Sequence, residues 1–223
     1  MKLLYGDYNV QIEFHENEVQ VLTIENPVTF RKALQELQEQ YKGGEGIWIL
    51  SEGESPIPLE NYAEILWSPL LIDLNERKIV SKLYQEMRKV TEENFYQETE
   101  EIRTKIVQYL EKVRFELPYM IDYNMDIDVS GLYKLCDVKL ECCGTDILQT
   151  LSDYIKVLSL LSNIKMLILV SIKDYFDKEQ LLELYKMAFY YKVNLLLVEA
   201  VQRDRLEGEK NYILDQDNCL IEF

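Results

Sequence analysis

Histidine is almost absent from this sequence, since His15 is the only one among 223 residues. A mechanism in which histidine activates a serine or cysteine nucleophile would therefore have to use this one side chain. His15 lies in the segment YNVQIEFHENEVQ, which we interpret as two short strands joined by a hairpin turn. We therefore expect an exposed turn histidine and no histidine-based catalysis.

Cysteine is scarce, and its spacing excludes the usual structural uses of this residue. None of the four cysteines (Cys136, Cys142, Cys143 and Cys219) forms a C-x-x-C pair. This pattern predicts neither a structural zinc site nor a disulfide framework. The sequence also lacks an apolar run long enough to cross a bilayer and an N-terminal signal-peptide pattern. We therefore expect a cytoplasmic protein without a membrane partner.

A glycine-rich phosphate-binding loop is also missing. The sequence contains no G-x-x-x-x-G-K-[ST] motif, and its one glycine cluster, KGGEGIW, precedes a predicted strand. We interpret Gly43, Gly44 and Gly46 as the end of a helix. Asp174 follows the apolar strand KMLILVS, where a nucleotide hydrolase would have a magnesium-binding acid. Without the loop, Asp174 is interpreted as a turn aspartate.

Alternating and apolar segments predict an α/β domain. The first 25 residues contain three short strands (MKLLY, VQIEF and VQVLTI), and a helix begins at Asn26 and Pro27. Further along, the buried strands KMLILVS and KVNLLLVEA flank a helix that Asp177 and Gln180 begin with a capping box. Such a strand–helix–strand unit predicts two parallel strands. The closing segment NYILDQDNCLIEF predicts a hairpin.

The middle of the chain is predicted to be helical. Apolar residues recur with helical spacing through residues 75–94 and 98–115. The short polar junction near Asn94 fits either a tight helical hairpin or one long, kinked helix. A third helix is predicted over residues 146–162, with Thr145 as its N-cap.

These elements predict a discontinuous α/β core domain that is interrupted by a helical domain. We expect the core to combine residues 1–73 and 164–223, and the mainly helical leg domain to span residues 74–163. The core should contain a partly parallel sheet on a frame like that of the P-loop nucleotide hydrolases, without the phosphate loop.

The net charge is −16, which argues against nucleic acid as a partner, but the acidic excess is unevenly distributed. Residues 74–116 carry nine basic and nine acidic side chains, and cations on one helix face bind phosphates without reading sequence. Lys112 and Arg114 are among these cations, and seven others are our candidates for DNA contact: Arg77, Lys78, Lys82, Arg88, Lys89, Arg103 and Lys105. Glutamates are interleaved with them, so the alternative is solvated helices with intrahelical ion pairs.

Carboxylates cluster after the second predicted helix. Glu116, Asp122, Asp126 and Asp128 supply the oxygen ligands that calcium prefers. Their spacing does not match an EF-hand, because the required glycine and the closing glutamate are missing. Spacing alone favours a solvated acidic loop, with a calcium site as the first alternative and a two-metal nuclease site as the second.

The sequence resembles the short adaptation protein of type II-A CRISPR systems, the Csn-two family. The segments that carry the resemblance are KMLILVSIKDYFDKEQLLELYKMA, VNLLLVEA and the closing YILDQDNCLIEF, which contains an ILD-x-D hairpin. The early N-P helix start and the helical insertion are also similar.

This resemblance implies a frame that has lost its phosphate loop and does not act as an ATPase. It implies ring-shaped homotetramers that bind the ends of double-stranded DNA through a central hole, with calcium supporting the ring. Glu116, Asp126 and Asp128 are then candidate calcium ligands. The expected role is spacer acquisition, beside the integrase pair and the guide-directed nuclease of the same locus.

Two alternatives belong to other functional classes. One is an enzyme, either a degenerate nucleotide hydrolase or a metal-dependent nuclease, which would turn over ATP or DNA with magnesium. The other is an adaptor whose acidic surface docks a basic protein and which has no affinity for DNA.

Overall fold

Two units, interleaved along the sequence, make up the computed structural model of the chain. The structure describes residues 1–53, 55–124, 128, 130–141, 146–162 and 164–222. The first unit combines Met1–Leu74 with Cys142–Phe223, and the second unit is Asn75–Glu141. The core is thus discontinuous in sequence, and the inserted unit is helical.

The strands of the described residues all belong to the first unit and form two sheets. In chain order they are β1 (Lys2–Tyr5), β2 (Val10–Glu13), β3 (Val19–Ile24), β4 (Trp48–Glu52), β5 (Ser55–Ile57), β6 (Ala63–Leu66), β7 (Met166–Val170), β8 (Asn194–Glu199), β9 (Glu209–Leu214) and β10 (Leu220–Glu222). The smaller sheet has the order β2-β1-β4-β5 and is antiparallel. The larger sheet has the order β10-β9-β3-β8-β7-β6.

The larger sheet is parallel except at one edge. Parallel pairing joins β6 to β7, β7 to β8, β8 to β3, and β3 to β9, whereas β10 is antiparallel to β9. All residues of β3 and β7 are buried, as expected for parallel strands that are covered on both faces. The parallel β7–β8 pair and the closing hairpin are therefore confirmed.

The predicted hairpin turn at His15 is wrong. Strand β2 pairs with β1 in the smaller sheet, while β3 pairs with β8 and β9 in the larger sheet. The reason lies in burial: β3 is buried at every position and suits a sheet centre, whereas β2 keeps exposed positions and lies at a sheet edge. His15 is exposed in the connection between the two sheets.

The helices of the first unit are α1 (Pro27–Tyr41), α2 (Leu59–Tyr62), α6 (Ile147–Leu161) and α7 (Lys178–Tyr190); those of the second unit are α3 (Arg77–Asn94), α4 (Tyr96–Glu116) and α5 (Ser130–Leu135). Asn26 caps α1 and the capping box of α7 is formed, both as predicted. At the end of α1, Gly43 adopts a φ of 85°, so the helix-ending role of this glycine is confirmed.

Helix α6 belongs to the first unit, so the second boundary lies near residue 141 and not at 163. Six of its residues are buried, including Leu151, Ile155 and Leu158, because its apolar stripe packs within the core unit beside α7. The side chain of Asp146 accepts a hydrogen bond from the Gln149 amide and caps α6. Thr145, the predicted cap, lies outside the described residues.

The junction between α3 and α4 is a single residue, Phe95. Its backbone has a φ of −127° and a ψ of 32°, yet its amide still bonds to the Thr91 carbonyl and its carbonyl accepts from the Thr99 amide. Helical hairpins need a loop of about two to five residues. Of the two alternatives that the sequence leaves open, the structure therefore favours one long helix that is kinked at Phe95.

Candidate nucleic-acid interface

Exposed lysines form one stripe along α3. Lys78, Lys82 and Lys89 are four and seven residues apart, so successive helical turns bring them to the same side of the helix. All three are exposed, whereas Ile79, on an adjoining side of the helix, is buried. Lys82 makes no ion pair with any described residue, and the Lys89 ammonium lies 3.6 Å from Glu86. We call these three residues the α3 lysine stripe.

Most of the arginines of the second unit are held by glutamates of their own helix. Arg88 donates to Glu92 over 2.7 Å, and Arg103 donates to Glu100 over 2.6 Å. The pair raises the pKa of Arg88, chiefly through the hydrogen bond to Glu92. The intrahelical ion pairs that were the alternative to DNA contact are thus present for Arg88, Arg103 and Arg114. Arg77 is exposed and makes no ion pair within the described part of the chain.

Two sides of α4 carry different kinds of cation. Arg103 and Arg114 are half-buried on one side, and each lies beside a glutamate three residues earlier. Lys105 and Lys112 are exposed on the other side, two turns apart, and neither makes an ion pair with a described residue. The lysines are therefore the cations that remain accessible to a phosphate.

Arg88 and Arg103 line the same cavity, on opposite sides of the kink in sequence. This cavity has a volume of about 120 Å³ and its other lining residues include three acids, so positive and negative side chains neutralise each other there. The remaining lining residues are Thr91, Glu92, Tyr96, Thr99, Glu100, Asp128 and Tyr133. Of the seven predicted DNA-contact residues, the structure thus separates these two arginines from the exposed lysines.

The predicted metal ligands do not converge in the described residues. Glu116 is the exposed last residue of α4, and Asp122 and Asp128 are exposed beyond it. No group of three or more histidine, cysteine, aspartate or glutamate side chains is arranged to hold a metal in the described part of the chain. Asp126 lies outside the described residues. The calcium site remains a prediction.

Asp128 has a local structural role. Its carboxylate accepts hydrogen bonds from the Ser130 amide, at 3.0 Å, and from the Ser130 hydroxyl. These hydrogen bonds lower the pKa of Asp128, with smaller contributions from Arg88 and Lys134. The same contacts fix the start of α5, whose Tyr133 packs against Tyr84 of α3.

In the first unit, a turn of the chain itself covers the place of the missing phosphate loop. A P-loop lies between a strand and the helix that follows it, which here means between β3 and α1. Asn26 accepts from the amides of Val28 and Thr29, and donates to the Gln216 carbonyl over 3.0 Å. The Thr29 hydroxyl donates to Asn218 over 2.7 Å. The turn between β9 and β10 therefore sits on the amino end of α1.

A buried ion pair between the turn after β7 and the start of β9 was not predicted from the sequence. The Lys173 ammonium lies 2.8 Å from Oε1 of Glu209, and the Tyr185 hydroxyl donates to the same carboxylate over 2.6 Å. Asp174, interpreted as a turn residue, forms an ion pair with Arg203. In the sequence, Lys173 and Glu209 are simply charged residues near apolar segments. No local pattern indicates that these two side chains contact each other.

Glu199, the last residue of β8, is 3% exposed and accepts a hydrogen bond from the Lys173 amide over 3.2 Å. Burial raises the pKa of Glu199 to about 7, against the lowering effects of the Lys173 amide and ammonium. This carboxylate therefore changes its charge near neutral pH.

In the described residues, no helix combines the length and the apolar character needed to cross a membrane.

Comparison with known proteins supports the resemblance noted in the sequence. The solved structure of Stu0660 of Streptococcus thermophilus is similar in fold, with a TM-score of 0.64 and 13% sequence identity, over 100% of this chain and 76% of that one. No curated protein matches the chain. Residues 40–218 match the model of the family Cas_Csn2, a CRISPR-associated protein. Because this match covers well over half of the sequence, the chain belongs to the CRISPR-associated Cas_Csn2 family.

Proposed function

We propose that the protein binds the ends of double-stranded DNA without reading sequence, and that it does so as a non-catalytic homotetrameric ring in CRISPR spacer acquisition. The observation that carries this proposal is the α3 lysine stripe, which lies exposed on a protein of net charge −16. Family membership supplies the biological setting.

The distribution of charge supports phosphate contact by the second unit. This unit holds 11 of the 24 basic side chains in 67 of the 223 residues. Lysines on one face of a helix are suited to sequence-independent contact, because phosphates repeat along the duplex whatever its bases. Lys105 and Lys112 add exposed ammonium groups on α4. Acidic surface elsewhere repels DNA and restricts binding to these faces.

The covered end of α1 supports a scaffold role for the α/β frame. The amides of Val28 and Thr29, which begin the helix after β3, are bound by Asn26. Gln216 and Asn218 bind over the same helix end. A phosphate held in the manner of a P-loop would compete with all these contacts.

Calcium is the metal that we propose, held by acids at the end of α4 and in the segment that follows it. Our candidate ligands are Glu116, Asp122, Asp126 and Asp128. Carboxylates are hard oxygen ligands, which calcium prefers, and those of Glu116, Asp122 and Asp128 are exposed. Bound calcium would also reduce the repulsion between this acidic segment and DNA phosphates.

The test is a binding series with linear and closed-circular duplexes of equal length, in calcium and in chelator. Binding of the linear form alone, in calcium, is the expected result, because a closed ring can be threaded only from a free end. Equal binding of both forms would mean that the protein binds DNA but does not encircle it as a closed ring. No binding of either form would favour the adaptor that docks a basic protein.

Matched double variants test the lysine stripe itself. Lys82→Ala/Lys89→Ala should weaken binding of linear DNA. The control is Lys156→Ala/Lys186→Ala, which removes two exposed helical lysines from the first unit. Equal DNA affinities of the two variants would contradict the proposal that the α3 lysine stripe contacts DNA. Magnesium-dependent turnover of ATP or DNA would instead favour the enzymatic alternative.

A further inference from the structure

A second exposed surface of the inserted unit combines cations with aromatic rings. Lys105, Tyr109 and Lys112 follow one another at intervals of four and three residues on α4, and Phe115 comes three residues later. Helical spacing makes each a surface neighbour of the next. Tyr109 is 66% exposed and Phe115 is 85% exposed. We call these four residues the α4 patch.

The patch makes no polar contact with the part of its own chain that the structure describes. Neither lysine forms an ion pair and the Tyr109 hydroxyl forms no hydrogen bond with any described residue. Two exposed acids, Glu101 and Glu116, flank the patch at its two ends, and neither forms an ion pair with its lysines among the described residues. Glu111 lies on another side of α4, where it accepts from Arg114 and from the Tyr123 hydroxyl. Large aromatic rings that stay exposed together indicate an interaction surface.

The chemistry of the patch fits unpaired nucleic-acid bases. Aromatic rings stack on bases and ammonium groups bind the intervening phosphates, which is how single strands are held without sequence preference. Tyr109 and Phe115 are about 9 Å apart along the helix axis, from a rise of about 1.5 Å per residue. Stacked bases in a duplex are only about 3.4 Å apart. Two rings at this wider spacing suit bases that are unstacked from each other.

We propose that the α4 patch binds single-stranded nucleotides at the end of a bound duplex. The proposal rests on the proposed DNA-end function and adds a preference for ends that carry an overhang. Charge favours this occupant over a second copy of the chain. In a two-fold contact the patch would meet itself and bring Lys105 and Lys112 close to their own copies. The phosphates of a nucleic-acid strand instead neutralise both lysines.

The experiment compares a blunt duplex with the same duplex extended by a short oligothymidine overhang that contains one 2-aminopurine. We expect the overhang to raise affinity about tenfold, the usual order for one base stacked on a ring. We also expect the 2-aminopurine fluorescence to be quenched on binding. Tyr109→Ala and Phe115→Ala should remove both effects, whereas Tyr109→Phe should keep them. Tyr190→Ala, which removes a tyrosine 77% exposed in the first unit, is the control.

The outcomes separate this inference from the proposed function. Blunt-end binding without any gain from the overhang would overturn the inference and leave DNA-end binding intact. A gain that survives Tyr109→Ala and Phe115→Ala would also overturn it. Absence of binding to any duplex would overturn both proposals. If Tyr109→Ala lowers the molar mass in light scattering while the overhang effect is lost, the patch is an interface between copies and the inference is wrong.

Discussion

The Lys173 ammonium lies 2.8 Å from the Glu209 carboxylate, and their side chains are 4% and 0% exposed. The Tyr185 hydroxyl and the Leu206 amide complete the coordination of this carboxylate. A charge pair so deeply buried is costly to desolvate and depends on every one of these contacts. It fixes the turn after β7 to the start of β9, at the side of the sheet that α7 covers.

Removing one partner of this pair should destabilise the protein strongly. Glu209→Gln leaves the Lys173 ammonium buried without a counter-charge, and we expect the free energy of unfolding to fall by about 3–5 kcal/mol. Urea denaturation of the purified protein measures this change. Glu207→Gln, an exposed neighbour, is the control and should have little effect. A small effect of Glu209→Gln would show that the pair is dispensable.

Glu199 should make the first unit less stable as the pH rises. Its folded-state pKa of about 7 lies above the ordinary value of 4.5, because burial disfavours its charge. The free energy of unfolding should therefore fall as the pH rises from about 4.5 to 7, by about 3 kcal/mol in total, and level off above 7.

The variant Glu199→Gln isolates this contribution, because its side chain stays neutral at every pH. The difference in free energy of unfolding between the variant and the wild type should be small near pH 4.5. As the pH rises to about 7, the variant should become increasingly more stable than the wild type. Denaturation curves across this range measure it. A difference that does not change with pH would contradict the prediction.

Salt dependence should distinguish the exposed lysines of α3 from arginines that are hydrogen-bonded to glutamates. Each lysine that contacts a DNA phosphate contributes about 0.9 to the slope of log affinity against log salt concentration. Lys82→Ala/Lys89→Ala should therefore lower the slope by nearly 2. Arg103→Ala should lower it less, because Glu100 already binds this arginine. Equal effects would mean that Arg103 leaves Glu100 to contact DNA.

Calcium binding should depend on the acids at the end of α4 and after it. Glu116→Gln and Asp122→Asn each remove one charged oxygen ligand, and we expect each to lower calcium affinity by at least tenfold. Titration calorimetry of the protein without DNA measures the affinity directly. Glu98→Gln, an exposed acid at the other end of α4, is the control. Unchanged affinity in both variants would place the calcium elsewhere.

Local sequence signals predict local structure well in this chain. The Asn26 cap, the capping box at Asp177, and the parallel β7–β8 pair all follow from residues close together in sequence. The exposure of the lysines on α3 also follows from helical periodicity, since the apolar stripe that contains Ile79, Leu83 and Met87 lies on a different face of the helix.

Three features that depend on distant contacts were not predicted, although the discontinuous core was. The separation of β2 from β3 into two sheets is decided by β8 and β9, more than 170 residues later. Helix α6 reads as part of the insertion, yet its apolar stripe is buried in the core unit. Convergence of Glu116, Asp122 and Asp128 on one metal would likewise depend on tertiary geometry that spacing does not specify.

The pairing of β3 with β9 also constrains the order of events during synthesis. β3 and the amino end of α1 are made early, but β8, β9 and the turn at residues 215–218 emerge from the ribosome much later. Until then, β3 exposes two unpaired edges. Such high contact order slows folding and prolongs the exposure of aggregation-prone strands. The contacts of the inserted unit lie within residues 75–141. Its helices can therefore fold before the last strands of the larger sheet have been synthesised.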